Sequence, residues 1–245
     1  MDLKGKTALI TGGGIRLGRA IALALAKEGC NVAIHYNRSA EDASEVRQLA
    51  QDFKVKAEIF QYDLSDFENI DQLMKKVNEK LGPVDILINN AGNYKRGNGL
   101  KTDLDILHTS FNVNLFAPWW LIKAFVKQLP AEKNGKIVNV CDANIYRTAT
   151  DHFAYRLTKK GLCELTRMFA LELAPNITVN AVAPGIMLPL AGYEHLDMEQ
   201  VAEARKIPLG HIGSPEIIAE NVLHLLNQDF MTGTILRVDG GEHIV

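Results

Sequence analysis

The chain has 245 residues, of which 47% are hydrophobic and 23% are charged, and this balance is typical of one α/β domain with a large buried core. A formal net charge of −2 argues against a nucleic-acid-binding surface. No apolar run approaches the roughly 20 residues that a membrane-spanning helix needs, so we expect neither nucleic acid nor a membrane as a partner.

The first predicted element is a strand over residues 6–11, and a helix over 17–28 follows a turn rich in glycine. A strand, a glycine turn and a helix in this order let backbone N–H groups meet a pyrophosphate at the helix N-terminus. Glycines also form ordinary turns, but their place in this unit favours a dinucleotide-binding site. The expected contact residues are Gly12, Leu17 and Gly18.

The second predicted strand, residues 31–36, ends where the adenosine ribose of a dinucleotide is expected. An NAD-binding enzyme carries Asp or Glu there to bond the ribose 2′-hydroxyl, whereas this chain has Asn37, Arg38 and Ser39. The guanidinium of Arg38 suits a 2′-phosphate, and Ser39 can cap the helix that begins at Ala40 and add a hydroxyl. A solvated arginine and an ordinary helix cap would explain both residues too, but the missing acid predicts NADPH.

Strand and helix signals alternate along the whole chain. The pattern predicts an α/β fold, a Rossmann-type, doubly wound, seven-stranded parallel sheet with helices on both faces. We expect one NAD(P)-binding domain over 1–245, with its ligands outside the carboxyl ends of the strands. The predicted strands are 6–11, 31–36, 56–62, 84–89, 135–141, 177–183 and 234–238, and the predicted helices are 17–28, 40–53, 67–80, 103–129, 153–174 and 214–226.

Cysteine usage indicates a reducing compartment. Cys30, Cys141 and Cys163 form no C-x-x-C pair, so we interpret them as buried or free thiols. The amino terminus lacks a signal-peptide core, and the seven histidines include no pair at metal-ligand spacing. We therefore expect a cytoplasmic protein that binds no metal.

Tyr155 and Lys159 stand four residues apart within the predicted helix 153–174, which places the phenol and the ammonium on one helix face. An ammonium beside a phenol favours the phenolate and lowers its pKa by about 1–3 units. Tyr155 would then exchange protons near neutral pH. The pair also occurs by chance on helix surfaces, so its weight depends on the nucleotide-binding motifs upstream.

Seven stretches together resemble the short-chain dehydrogenase/reductase family over essentially the whole chain: 11–18, 63–64, 89–92, Asn114, 155–159, 184–185 and 238–241. The resemblance implies hydride transfer between a nicotinamide and a carbonyl, alcohol or imine. It implies that Tyr155 is the acid, that Lys159 holds the nicotinamide ribose and tunes Tyr155, and that Asn114 holds a water near Lys159. The further cofactor contacts that it implies are Asp63, Leu64, Asn90, Ala91, Gly92, Pro184 and Gly185.

Two departures from the common family pattern resemble one branch, the pteridine reductases. The chain has Arg16 where the family usually has Gly, and Asp142 where it usually has Ser, 13 residues before Tyr155. The segments 35–40 and 117–125 resemble the same branch, which adds His35 and Tyr36 to the expected cofactor contacts. A missing serine argues against a plain ketone reductase, because that serine would bond a substrate carbonyl.

The chemistry of a pterin is consistent with these departures. Its ring edge carries amino and N–H donors, which a carboxylate accepts better than a hydroxyl does, and Asp142 would share the proton with Tyr155. The branch implies that Arg16 reaches both the pyrophosphate and the pterin, and that Tyr94 stacks on the ring. Plainer roles remain open: Arg16 only neutralising the pyrophosphate, Asp142 anchoring a loop and Tyr94 being an ordinary loop aromatic.

The segment 186–206 is expected to close over the substrate, with Leu188, Leu190, Tyr193, His195 and Leu196 as candidate pocket residues. We predict an NADPH-dependent reductase of the pteridine-reductase type. The alternatives are an NADPH-dependent carbonyl reductase, for example of 3-oxoacyl thioesters or sugars, and an NADPH-binding regulator without turnover. The family resemblance also implies a homotetramer formed through helices 103–129 and 153–174, with core packing as the other explanation for the candidates Trp119, Trp120, Phe125 and Phe169.

Overall fold

The computed structural model describes residues 1–66, 70–130, 132–189 and 197–245. Its seven strands form one parallel sheet, as the alternating pattern predicted, and their order in the sheet is β3-β2-β1-β4-β5-β6-β7. The chain order reverses between β1 and β4, which creates the crevice where such sheets bind ligands. The strands are β1 (Thr7–Ile10), β2 (Asn31–Tyr36), β3 (Ala57–Gln61), β4 (Ile86–Asn89), β5 (Gly135–Val140), β6 (Ile177–Pro184) and β7 (Ile235–Val238).

Eight α-helices lie within the described residues, two more than predicted. One addition is a short helix in the expected substrate segment, and the other results from division of the predicted helix 103–129. The helices are α1 (Arg16–Lys27), α2 (Ala40–Asp52), α3 (Ile70–Leu81), α4 (Leu104–Phe111), α5 (Ala117–Gln128), α6 (Phe153–Glu172), α7 (Met198–Ala204) and α8 (Pro215–Asn227).

A π-helical turn, Asn112–Phe116, lies between α4 and α5, so the predicted helix 103–129 is helical from 104 to 128 but changes its hydrogen-bond pattern in the middle. The physical reason is Pro118, which has no N–H to donate to Asn114 and whose ring would clash with that carbonyl in a regular helix. The N–H of Ala117 instead donates to the carbonyl of Asn112, five residues back. Such single π turns occur frequently at functional sites.

Two hydrophobic layers cover the sheet. On one face, α1, α2 and α8 pack on the central strands through fully buried residues such as Ile21, Val46 and Val222. On the other face, α3 and α5 bury Leu73, Leu121 and Phe125. This double coverage explains why β1 and β4 are buried at every position. Among the described residues, no helix is long and apolar enough to cross a membrane.

Candidate active site

The glycine turn between β1 and α1 is closed by direct backbone contact. A Cβ on Gly18 would lie 2.0 Å from the carbonyl oxygen of Gly12, so no larger residue fits there. From the next strand, Asn90 donates its side-chain amide to the carbonyls of Thr11 at 2.8 Å and of Gly12 at 3.1 Å. Asn90 therefore shapes the turn from the β4 side.

His35, near the end of β2, braces the same turn. Its Nδ1 accepts a hydrogen bond from the N–H of Gly12 at 3.1 Å, and its Nε2 donates to the carbonyl of Tyr62 at 3.1 Å. Burial lowers the pKa of His35 to about 4, so the ring is neutral in this arrangement. Because both ring nitrogens are engaged within the fold, His35 would support the cofactor site only through Gly12.

The N-terminus of α1 fits a pyrophosphate. Its N-cap residue, Ile15, provides no side-chain cap, so the first amides of the helix have no side-chain acceptor and can bind an anion. Arg16 adopts φ 53°, which explains why glycine is common at this position. The side chain of Arg16 makes no hydrogen bond or ion pair with any described residue. Instead it lines a depression of about 620 Å³ between α1 and α8, with Leu188 at its rim.

The end of β2 presents an exposed guanidinium. Arg38 and Asn37 are exposed, whereas Tyr36 is buried. Ser39 occupies the N-cap position of α2, but its side chain makes no cap hydrogen bond, so the predicted capping is wrong. After β3, Asp63 accepts hydrogen bonds from the N–H and the hydroxyl of Ser65. These bonds, with a smaller contribution from the charge of Arg38, lower the pKa of Asp63.

The π-helical turn delivers Asn114 to the crevice. Its Oδ1 accepts from the N–H of Asn93 at 2.8 Å, and its Nδ2 donates to the carbonyl of Asn93 and to Thr158 on α6. A Cβ on Gly92 would lie 3.3 Å from Oδ1 of Asn114 and 3.6 Å from Nζ of Lys159. Asn114 therefore joins the loop after β4 to the helix that carries Lys159. The water that it was expected to hold remains a prediction.

Lys159 is buried, and its Nζ donates to the carbonyl of Val140 at 2.6 Å. Desolvation by burial lowers the pKa of this ammonium. Nζ also lies 5.9 Å from the centre of the Tyr155 ring, so the two side chains do share one helix face.

Tyr155 donates its hydroxyl to Oδ2 of Asp142 at 2.6 Å. Burial, followed by the charge of Asp142 and this hydrogen bond, raises the pKa of Tyr155 well above its usual range. The prediction that Lys159 lowers this pKa is therefore wrong in this structure, because burial and a carboxylate at contact distance dominate. The other oxygen of Asp142 accepts from the N–H of Asn144 at 2.7 Å and caps the 3₁₀ helix Ala143–Tyr146.

Tyr94 belongs to this cluster. Its ring meets the ring of Tyr155 edge-on at 4.6 Å and stacks on His152 at 4.1 Å. His152, which the sequence analysis did not identify, is the left-handed residue before α6, and its Nε2 is buried without a hydrogen-bond partner among the described residues. His152 therefore covers one face of the Tyr94 ring, and Tyr155 contacts the same ring edge-on.

The loops after β6 and β7 close the other end of the crevice. A Cβ on Gly185 would lie 2.8 Å from Cα of Asp239, so Pro184 and Gly185 are held against the chain after β7. In the expected substrate segment, Leu188 is described, whereas the candidates Leu190, Tyr193, His195 and Leu196 lie outside the described residues. The remaining expected contacts follow their strands: Leu64 is buried, Leu17 and Ala91 are partly buried, and Gly92 is exposed.

The chain is similar to known proteins along nearly its whole length. A family model described as enoyl-(acyl carrier protein) reductase matches residues 14–243. L-rhamnose 1-dehydrogenase (NADP(+)) of Thermoplasma acidophilum is 33% identical, with 98% of this chain and 97% of that protein covered. 3-oxoacyl-[acyl-carrier-protein] reductase FabG of Thermotoga maritima is 31% identical, with 98% and 99% covered. FolM alternative dihydrofolate reductase 1 of Brucella suis, solved in complex with NADP, is 32% identical with a TM-score of 0.90, with 98% and 96% covered.

Proposed function

We propose that this chain reduces pterins or dihydropterins. The chain belongs to the short-chain dehydrogenase/reductase family and is an NADPH-dependent oxidoreductase. The observation that carries the proposal is the 2.6 Å hydrogen bond from Tyr155 to Asp142. A carboxylate at that place suits a substrate whose edge carries N–H donors.

The residues around the crevice fit a nicotinamide dinucleotide phosphate. The N-terminal amides of α1, reached through the turn at Gly12 and Gly18, would bind the pyrophosphate. The exposed Arg38 would bind the 2′-phosphate, with Ser39 beside it. Asp63 and Leu64 would flank the adenine, and Lys159 would donate to the nicotinamide ribose. Further contacts would come from Asn90, Ala91, Gly92, Pro184 and Gly185.

NADPH, held by these residues, would supply the hydride for the reduction. Tyr155 would deliver the balancing proton to the adjacent ring nitrogen, and its raised pKa keeps the hydroxyl protonated until the substrate takes that proton. Lys159, held on the carbonyl of Val140 at 2.6 Å, would place a positive charge near the phenolate that remains. Asp142 would accept from the ring N–H groups that Tyr155 does not serve.

Two further features support a flat heterocycle as substrate. Tyr94 stands edge-on to Tyr155 at 4.6 Å and has one ring face free of His152, on which a pterin would stack. Two of the solved structures, at 31–32% identity, are named FolM alternative dihydrofolate reductase 1 and contain NADP. The expected contact of Arg16 with the pterin requires its exposed side chain to turn from the α1–α8 depression into the crevice. The segment 186–206 would close over the ring.

A second candidate function is the reduction of 3-oxoacyl thioesters. It is supported by the 31% identity to FabG of Thermotoga maritima over 98% of this chain. The carboxylate of Asp142 argues against it, because a ketone oxygen needs a donor and an ionised carboxylate offers only acceptors.

The test is NADPH oxidation with dihydrobiopterin, dihydrofolate and a 3-oxoacyl thioester side by side. We expect turnover of the pterins, and we expect Asp142→Ser to reduce it while raising any activity on simple ketones. Loss of this charged acceptor should lower the rate of pterin reduction roughly ten- to a hundredfold. Fast turnover of the thioester with none of the pterins would contradict the pterin assignment and leave the oxidoreductase intact.

We also propose that the chain forms a homotetramer through the predicted helices 103–129 and 153–174, which correspond to α4, α5 and α6. Exposed apolar side chains on these helices support this, among them Trp119, Leu157, Met168 and Leu171 with 37%, 42%, 65% and 85% of their surface exposed. Phe125 is fully buried in the core, so it is not an interface residue, whereas Trp120 and Phe169 are partly buried. Size-exclusion chromatography with light scattering measures the assembly directly.

A further inference from the structure

A buried carboxylate lies at the carboxyl terminus, outside the catalytic cluster. Glu242 begins the 3₁₀ helix Glu242–Ile244 and is only 2% exposed. Its Oε1 accepts from Nε of Arg205 at 2.7 Å, and Nη1 of Arg147 lies 3.6 Å away. The other oxygen, Oε2, has no hydrogen-bond partner among the described residues. Core packing gives no reason for a buried, half-satisfied carboxylate at this point.

The hydrogen bonds continue from this carboxylate to the proton donor. Nη2 of Arg205 donates to Oδ1 of Asn144 at 3.0 Å. The N–H of Asn144 donates to Oδ1 of Asp142 at 2.7 Å, and Oδ2 of Asp142 accepts from Tyr155 at 2.6 Å. We call this the Glu242–Tyr155 network. We propose that Glu242 and Arg205 are positioning residues, which hold Asn144 so that Asp142 stays aimed at the hydroxyl of Tyr155.

The location of Asn144 supports this role. It sits in the 3₁₀ helix whose N-terminus Asp142 caps, so a shift of that helix moves the carboxylate directly. From α6, Nη1 of Arg156 donates to the carbonyl of Asn144 at 3.2 Å. Asn144 is therefore held from two sides, by the catalytic helix and by the residue that follows α7.

Arg205 connects the Glu242–Tyr155 network to α7. It is the C-cap residue of α7, the helix within the segment 186–206 that we propose covers the substrate. The same side chain ties the end of α7 to the buried Glu242 and to Asn144. The position of α7 would thus influence the position of Asp142. This inference rests on Tyr155 as the proton donor of the proposed reductase, but it does not require that the substrate be a pterin.

The test is a double-mutant cycle with Asn144→Ala and Arg205→Met. The alanine removes only the acceptor for Arg205 and keeps the backbone N–H that serves Asp142. We expect each variant to lower kcat about five- to twentyfold, the range typical of coupled contacts, with the Kd of NADPH unchanged. The double variant should be no slower than the slower single variant. The substrate is whichever compound of the panel above is reduced fastest, so a failure of the pterin assignment remains a separate result.

Arg147→Met is the matched control, because Arg147 also approaches Glu242 but donates its side chain to Val245 rather than to Asn144. We expect it to leave kcat within about twofold while any loss of stability appears in thermal unfolding. Rate losses that multiply in the double variant, or an unchanged kcat in Asn144→Ala, would overturn the proposal.

A second measurement needs no substrate. In protein labelled with 3-fluorotyrosine, the ¹⁹F resonance of Tyr155 is assigned by its loss in Tyr155→Phe. We expect Asn144→Ala and Arg205→Met to shift this resonance in the same direction, and the double variant to add no further shift. A Tyr155 resonance that stays in place in both variants would show that the network does not reach the hydroxyl.

Discussion

The two halves of the crevice are built differently. On the side of β1 and β2, backbone groups face the ligand site: the amides of α1 and the turn closed by Gly18. The side chains of His35 and Asn90 only bond to that backbone. On the side of β5 and α6, side chains contact side chains: Tyr155 with Asp142, Tyr94 with His152, and Asn114 with Thr158.

This difference determines how far a single substitution can change ligand recognition or chemistry in each half. A site made of backbone amides depends on the absence of side chains, so it recognises any pyrophosphate and leaves selectivity to one exposed arginine. A site made of side chains changes its chemistry when one residue changes, as Asp142 illustrates. The predictions below therefore disturb one half at a time and ask whether the other half responds.

The largest expected effect belongs to the side-chain half. Tyr155→Phe removes the proton donor, and we expect turnover to fall about 10²–10⁴-fold while the Kd of NADPH stays nearly unchanged. Steady-state kinetics and a fluorescence titration of NADPH measure the two quantities. Lys159→Ala is the informative companion, because Lys159 would serve both halves and should weaken binding and turnover together. Unaltered turnover in Tyr155→Phe would mean that Tyr155 is structural.

The next effect belongs to the backbone half and concerns acid stability. Burial lowers the pKa of His35 from 6.5 to about 4, so the unfolded chain binds this proton at a higher pH than the fold does. The contribution of His35 to stability is complete above pH 6.5 and is lost as the pH falls towards 4. The loss amounts to about 3 kcal/mol.

Denaturant unfolding at several pH values checks this contribution. In His35→Gln, we expect the free energy of unfolding to be lower at pH 7 and to depend less on pH between 6.5 and 4. His108→Gln is the control, since His108 is exposed and should leave the profile unchanged. Parallel pH profiles for the unmutated protein and His35→Gln would rule out the buried neutral histidine.

A smaller effect tests the single arginine that selects the cofactor. Arg38 is exposed at the end of β2, and a charge-assisted bond to the 2′-phosphate is worth about 1.5–3 kcal/mol. We expect Arg38→Ala to weaken NADPH binding roughly ten- to a hundredfold and to leave NADH binding unchanged. Lys56→Ala removes a positive charge from an exposed position before β3, at the other end of the sheet, and should change neither. Equal titration of both cofactors by the unmutated protein would contradict the assignment.

The sequence predicted the backbone half better than the side-chain half. The seven strands, their parallel pairing and the glycine turn follow from the alternation of strand and helix signals and from glycines, which are visible in one sequence. The division of helix 103–129 was signalled by Pro118, but its consequence for Asn114 required three-dimensional contacts. The pKa of Tyr155 could not be predicted from spacing, because it is raised first by burial of the phenol and then by Asp142, a partner 13 residues away. His152 and Glu242 carried no recognisable motif.

The smallest expected effect separates the candidate roles of Arg16, the first residue of α1. Its φ of 53° is left-handed and costs roughly 1–2 kcal/mol for a residue with a Cβ. Glycine relieves that cost but loses about 0.5–1 kcal/mol to the greater freedom of the unfolded chain. We therefore expect Arg16→Gly to raise the free energy of unfolding by about 1.5 kcal/mol at most.

The affinity of Arg16→Gly for its ligands should fall while its free energy of unfolding rises. If the guanidinium serves the pyrophosphate or the substrate, Arg16→Gly weakens NADPH or pterin binding even as the fold becomes slightly more stable. Arg19→Gly is not a suitable control, since Arg19 is paired with Glu45, but Arg16→Asn is: asparagine tolerates the left-handed region and removes the charge. Both variants should then lose the same affinity. A variant that loses stability but keeps its affinity for both ligands would instead make Arg16 a structural residue of the turn. The left-handed backbone of Arg16 would then have no ligand-binding role to offset its strain.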